Sequence, residues 1–177
     1  MYPNAIFRGI DVEPSQVERY NHIAEEFRED SDDRMRAVQG DLLDSSPDFR
    51  SPEWSDFDVV AVSMALHHIV DTVEILTLLR ERLRPGGVLL VVEFLSSADP
   101  ASNLQEGHGS VSQDVVENNG IRHIGFTSHK MKAALTAAGC NDVRIKIHPE
   151  AFALPEDIGG EQRLFLCCGY TSVGRHQ

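Results

Sequence analysis

The chain has 177 residues, 41% of them hydrophobic, which is enough for one domain with a real core. Its formal net charge of −12 argues against general affinity for DNA, RNA or anionic membrane surfaces, and favours a small molecule or a protein as partner. No apolar run has transmembrane length and no signal peptide opens the chain, so the expected location is cytoplasmic.

Ala5 to Ile10 reads as a strand that ends at Asp11. Glu13-Pro14-Ser15 opens a helix, with Pro14 suited to its first turn. Val17, Tyr20, Ile23 or Ala24, and Phe27 form the apolar face. Glu29 to Asp33 is an acidic turn. Met35 to Gln39 is a short strand, followed by Gly40-Asp41-Leu42-Leu43. Ser45 to Ser55 carries prolines and many polar groups and reads as loop or one irregular turn.

The organising stretch runs from Phe57 to Phe94. Val59 to Val62 and Val88 to Val92 are continuous apolar runs, the pattern of strands buried on both faces of a parallel sheet. Between them Val73, Leu76, Leu79 and Leu83 give a helical face. Asp71 caps that helix, with Glu74 three residues on, and Pro85-Gly86-Gly87 stops it. This is a βαβ unit, and ligands of such sheets lie beyond the carboxyl ends of the strands. Ser63 to Ile69 therefore should face a site.

Ser96 to Gly120 is polar and lacks periodicity; it reads as a partly ordered lid or a flexible loop. Thr127 caps a helix with Met131, Ala134 or Leu135, and Ala138 inward, ended by Gly139. Val143 to Ile147 and Leu164 to Cys168 are strands close enough in sequence to pair antiparallel at a sheet edge. The cysteines, Cys140, Cys167 and Cys168, have no zinc spacing and read as buried thiols in a reducing compartment. No metal site is expected. The whole chain, 1–177, reads as a single domain.

Asp11 and Asp41 each follow a strand, on one rim. A carboxylate there can accept both hydroxyls of a ribose or an adenine amino group; the plainer roles are helix cap and turn residue. Leu42 could pack on the ring. His67 and His68 are adjacent and should point apart, a poor metal pair, although one could serve as base or substrate contact.

The chain resembles the class I S-adenosylmethionine-dependent methyltransferases of the small-molecule type. The carriers are GIDVEP, QGDLLD, FDVVAVSMALHHI, LRPGGVLLVVEF, GFTSHKMKAALTAAGC and RLFLCCGY, in that order. The resemblance implies a Rossmann-like, doubly wound, mostly parallel α/β sheet with an antiparallel last strand. It implies S-adenosylmethionine as cofactor, with Asp11 on the ribose, Asp41 on the adenine amine and Leu42 beside the ring. Ser63 and Met64 would lie near the methionine part, and His68 would border a small-molecule acceptor. The family's first strand and GxGxG loop are not in the sequence, so the chain is expected to be a truncated form with impaired activity. That strand belongs between the strands ending at Asp11 and Val62, whose edges would stay unpaired, join each other, or support self-association. The alternative is a non-catalytic remnant that acts as a binding protein. A nicotinamide-dependent reductase is set aside, because none of Tyr2, Tyr20 and Tyr170 has Lys four residues on.

Overall fold

The computed structural model describes residues 5–27, 34–44, 47–102, 121–122, 125–153 and 161–172. The chain forms two compact units, residues 1–54 and 55–177.

In the first unit, β1 (Phe7–Asp11) and β2 (Met35–Gln39) pair in parallel, with Gly9 opposite Ala37 and Asp11 opposite Gln39. Helix α1 (Pro14–Glu26) connects them, and Pro14 sits in its first turn, where a missing N–H costs nothing. Of the alternatives Ile23 and Ala24 it is Ala24 that is buried, whereas Phe27, expected on the same apolar face, is exposed. The Asn21 amide bonds both backbone groups of Ala37 at 2.8 and 3.0 Å and fastens α1 to β2. The expected acidic turn, Glu29 to Asp33, lies outside the described residues.

Where the sequence suggested loop, two short 3-10 turns form, Pro47–Arg50 and Pro52–Trp54. They bury Phe49 and Trp54 edge to face, with ring centroids 5.4 Å apart. Glu53 pairs with both Arg8 and Arg36 and holds the second turn against the strands. Gly40 is where the backbone meets this cluster, since a Cβ there would lie 2.2 Å from the Phe49 ring. Gly40→Ala is expected to destabilise this unit by about 1–3 kcal/mol through overpacking. Urea unfolding followed by the fluorescence of Trp54, the one tryptophan of the chain, checks it.

The second unit contains β3 (Phe57–Ser63), α2 (Thr72–Arg80), β4 (Leu83–Leu95) and α3 (Ser128–Ala137). It closes with β5 (Asn141–Ile147), β6 (Phe152–Ala153) and β7 (Glu161–Tyr170). The strand order is β3-β4-β7-β5, with β6 beside the start of β7. β3 and β4 are parallel, as the βαβ pattern requires, and β7 runs antiparallel to both β4 and β5. β5 and β7 thus form the expected antiparallel pair at the sheet edge, with β5 outermost and β7 between it and β4. The architecture is a mixed α/β open sheet with an antiparallel last strand. Among the described residues β1 pairs only with β2, and β3 pairs only with β4.

The Asp71 side chain accepts the Glu74 N–H at 2.9 Å and caps α2, as its sequence signal requires. The helix ends at Arg80, earlier than the aliphatic spacing indicated. Leu83 instead begins β4, opposite Phe57, and Pro85-Gly86-Gly87 falls within that strand, where the register shifts. β4 alternates strictly, with Leu89, Val91, Glu93 and Leu95 buried and their neighbours half-buried. Helices α2 and α3 supply the buried side through Ile75, Leu76, Met131 and Leu135. β3 is not buried on both faces: Val59 is 51% exposed, because β3 is an edge strand.

Thr127 accepts the Lys130 N–H and caps α3. At the other end Gly139, with φ of +87°, lets the Cys140 N–H reach Leu135 O and its own N–H reach Thr136 O. Cys140 and Cys167 are buried and Cys168 is half-buried, the opposite-face arrangement that adjacent strand residues require. Burial, with Cys168 beside it, pushes the Cys167 thiol up to about 12, so it packs as a neutral group.

Candidate functional site

Parallel strands deliver their last residues to one rim of their own sheet, and each unit has its own such rim. In the first unit Asp11 ends β1 and Asp41 follows β2, tied together by the Gly40 N–H to Asp11 O bond of 2.9 Å. One oxygen of each carboxylate is engaged locally: Asp11 accepts the Glu13 N–H and Asp41 the Leu43 N–H, both at 2.9 Å. Both are local turn bonds, Asp11 not being the cap of α1, whose N-cap is Glu13, and they orient the side chains without using up their acceptors. Both residues are exposed. They open onto different clefts. Asp41 lines one of about 550 Å³ with Gly40, Phe49, Ser51 and Trp54; Asp11 lines one of about 290 Å³ with Gly9, Tyr20 and Ala37. Leu42 is half-buried beside Asp41. Each carboxylate offers an acceptor beside a cleft of mixed polar and apolar lining, where a hydroxyl or amino donor of a ligand could be met.

In the second unit Ser63 ends β3, exposed and opposite Val92. Met64 then takes a left-handed conformation, φ +53°, while its N–H bonds Val92 O at 3.0 Å. A non-glycine residue held there costs on the order of 1 kcal/mol and turns the chain sharply away from the sheet. The chain continues into a 3-10 turn, Leu66–His68, anchored by the wholly buried Leu66. The turn corrects one expectation. His67 and His68 do not point apart as strand neighbours would; their ring centroids are 4.1 Å apart at 45°.

His67 has a partner that sequence reading missed. Its Nδ1 lies 2.9 Å from Oε1 of Glu93, which is fully buried in β4, and its backbone N–H bonds the other carboxyl oxygen at 3.2 Å. The Phe94 N–H also donates to Oε1. The signal was available as the lone acid in the apolar run VLLVVEF, since a buried carboxyl requires such donors. His68 is exposed and its ring has no hydrogen bond among the described residues. No group of three or more His, Cys, Asp or Glu side chains comes together as a metal site among the described residues.

Of the expected lid, residues 96–102 are described; the rest, 103–120, lies outside the described residues. The described part is anchored. Asp99, 4% exposed, accepts the Ser128 N–H and Oγ–H, both at 2.6 Å, and the Ala101 N–H at 2.8 Å. Burial works against ionisation of Asp99, yet the bonds from Ser128 and Ala101 outweigh it and hold the carboxyl below the usual carboxylate range. A lowered folded-state pKa contributes stability above the unfolded value, and that stability is lost as pH falls through the folded one. The stability gap between the unaltered chain and Asp99→Asn is therefore expected to be full at neutral pH and to shrink below about pH 4. Thermal unfolding across that range checks it.

A family model described as a methyltransferase domain matches residues 1–89, half of the chain. An uncharacterized methyltransferase of Schizosaccharomyces pombe is 34% identical over 121 residues, 66% of this chain and 39% of that protein. The 27-O-demethylrifamycin SV methyltransferase of Amycolatopsis mediterranei is 35% identical over 94 residues, 52% of this chain and 32% of that protein. The chain thus spans about two-fifths or less of the length of these relatives. A solved structure of Haemonchus contortus phosphoethanolamine N-methyltransferase 2, with phosphomonomethylethanolamine and S-adenosylhomocysteine, matches with a TM-score of 0.65 at 12% identity, covering 95% of this chain and 44% of that one. At that identity the likeness speaks for the fold.

Proposed function

Because the chain belongs to the methyltransferase domain family, we propose that it takes part in methyl transfer from S-adenosylmethionine to a small-molecule acceptor. The observation that carries this reading is the pair of exposed carboxylates, Asp11 and Asp41, at the ends of adjacent parallel strands. Asp11 holds the ribose hydroxyls, Asp41 the adenine amino group, and Leu42 covers the ring. Ser63 and Met64 serve the methionine part, and His68 borders the acceptor. The bound cofactor supplies a methyl group on a positively charged sulfur, which keeps the bonding pair when the methyl leaves. The protein's task is then to align donor and acceptor and to exclude water. A small acceptor agrees with the net charge of −12, which disfavours nucleic acid, and with the 27-O-demethylrifamycin SV in the name of the Amycolatopsis relative.

Affinity should be modest. No GxG-type loop occurs among residues 1–54, so backbone amides of that kind do not meet the methionine carboxylate. Calorimetry of the 177-residue chain with S-adenosylmethionine is the test. Weak saturable binding, lost in an Asp11→Ala, Asp41→Ala double variant, supports the proposal. No binding at all refutes it and leaves the non-catalytic binding protein.

The exposed Val59, beside an edge of β3 that pairs with no strand among the described residues, favours one addition, self-association through that edge. Sedimentation that is independent of protein concentration would rule it out.

A further inference from the structure

The sheet β3-β4-β7-β5 of the second unit has two faces of different character. Helices α2 and α3 cover the side of Leu89, Val91, Phe165 and Cys167, all almost wholly buried. Among the described residues the second unit has no other α-helix for the opposite side. We infer that this open side is where a second copy of the chain packs, sheet against sheet, in a weak and reversible dimer.

Register and pleat define the open side. Val59 of β3 stands beside Val88 of β4, and Leu90 and Val92 of β4 stand opposite Cys168 and Leu166 of β7. These positions alternate with the buried ones and none of them is buried; Val59 is 51% and Leu166 43% exposed. With a second layer above them, central-strand side chains would be buried as Leu89 and Val91 are. The four strands lie about 4.8 Å apart and Val88 to Phe94 rises about 20 Å, so the side measures roughly 400 Å² in plan. A sheet face of that size, apolar on three of its strands, is near the limit of what a soluble monomer leaves in water. Doubled across a pair and roughened by its side chains it reaches about 1,000 Å², the small end of specific interfaces.

Charge selects the occupant. The chain holds 28 acidic against 16 basic residues, so two copies repel over most of their surfaces. Among the described residues the open side carries no acid at its strand positions, and β5 contributes Arg144 and Lys146, opposite Cys168 and Leu166. Asp142, at the rim, is paired with Arg144. Two copies therefore meet here without the like-charge contacts they make elsewhere. The rest of the fit is geometric. A broad apolar sheet is matched by another with its strands offset by about 30°, and a second copy supplies one through two-fold symmetry. A membrane offers no such match, and the net charge of −12 opposes anionic lipid. The surface is separate from the edge of β3, since Cys168 lies two strands away from it.

Cys168 is a built-in reporter of this surface, because the other two cysteines, Cys140 and Cys167, are buried. Treated with iodoacetamide and followed by mass spectrometry, the native chain should take its label on Cys168. The rate should fall about fivefold or more between about 1 and about 300 μM protein, as mass action fills the pair. Sedimentation should show monomer passing to dimer over the same range. Leu166→Asp puts a charge on the face at a side chain that is already exposed. It should leave Cys168 equally reactive at both concentrations, with unfolding unchanged. Leu90→Thr, which keeps a strand-forming residue, should weaken the protection in the same direction. A Cys168 rate that does not depend on concentration overturns the proposal, as does a Cys168 that never reacts. So does a dimer in which Cys168 stays open, the result expected if copies join only through the edge of β3. Protection that survives in both variants overturns it as well.

Discussion

Replacing Asp11 with alanine is expected to weaken S-adenosylmethionine binding by about 1.5–3 kcal/mol, roughly ten- to a hundredfold. The range is that of hydrogen bonds to a charged group, and in the proposed site Asp11 accepts two, one from each ribose hydroxyl. Its bond to the Glu13 N–H is local and exposed, so the loss of fold stability should be small by comparison. Asp41→Ala should cost less, since it answers one amino group. Calorimetry on the two variants decides the order. Equal affinities for Asp11→Ala and the unaltered chain would remove Asp11 from the site.

Leu135→Ala should be the most destabilising of these substitutions, at about 2–5 kcal/mol. Leu135 is fully buried on α3, its side chain packs near Gly169 of β7, and its carbonyl closes the helix by accepting the Cys140 N–H. Truncation leaves a cavity in the layer between α3 and the sheet. Denaturant unfolding of the second unit measures it. A cost below about 1 kcal/mol would mean that the layer is looser than its burial implies.

Much of this was legible because the signals are local. Asp71 and Thr127 announce their helices within four residues, and both make the bonds that their positions require. The strands of the central βαβ unit stand out as apolar runs. What failed was non-local or ambiguous in period. Leu83 continues the helical spacing of Leu76 and Leu79, yet pairing with Phe57 takes it into β4. Val59 belongs to a run that reads as buried, and only the position of β3 at a sheet edge exposes it. Phe49 and Trp54 sit among prolines and charges, where two aromatic residues five apart set no period. On the site, Asp11 and Asp41 could be named from their place after strands, whereas the His67–Glu93 contact spans 26 residues and two strands. No periodicity predicts which acid meets which histidine.

The anchoring of residues 96–102 has an evolutionary corollary. Leu95 and Phe126 form a parallel bridge, Ser96 N–H bonds Phe126 O, and Asp99 holds the start of α3. The chain therefore leaves the sheet and returns to it at one point, whatever lies between. Closing such an excursion costs free energy that grows only with the logarithm of its length, about 0.6 kcal/mol per doubling. Sequence exchanged there leaves the clamp and the layers behind it intact. It is a position where insertion or deletion between the two ends is tolerated, with the sheet and the layers behind it inherited unchanged.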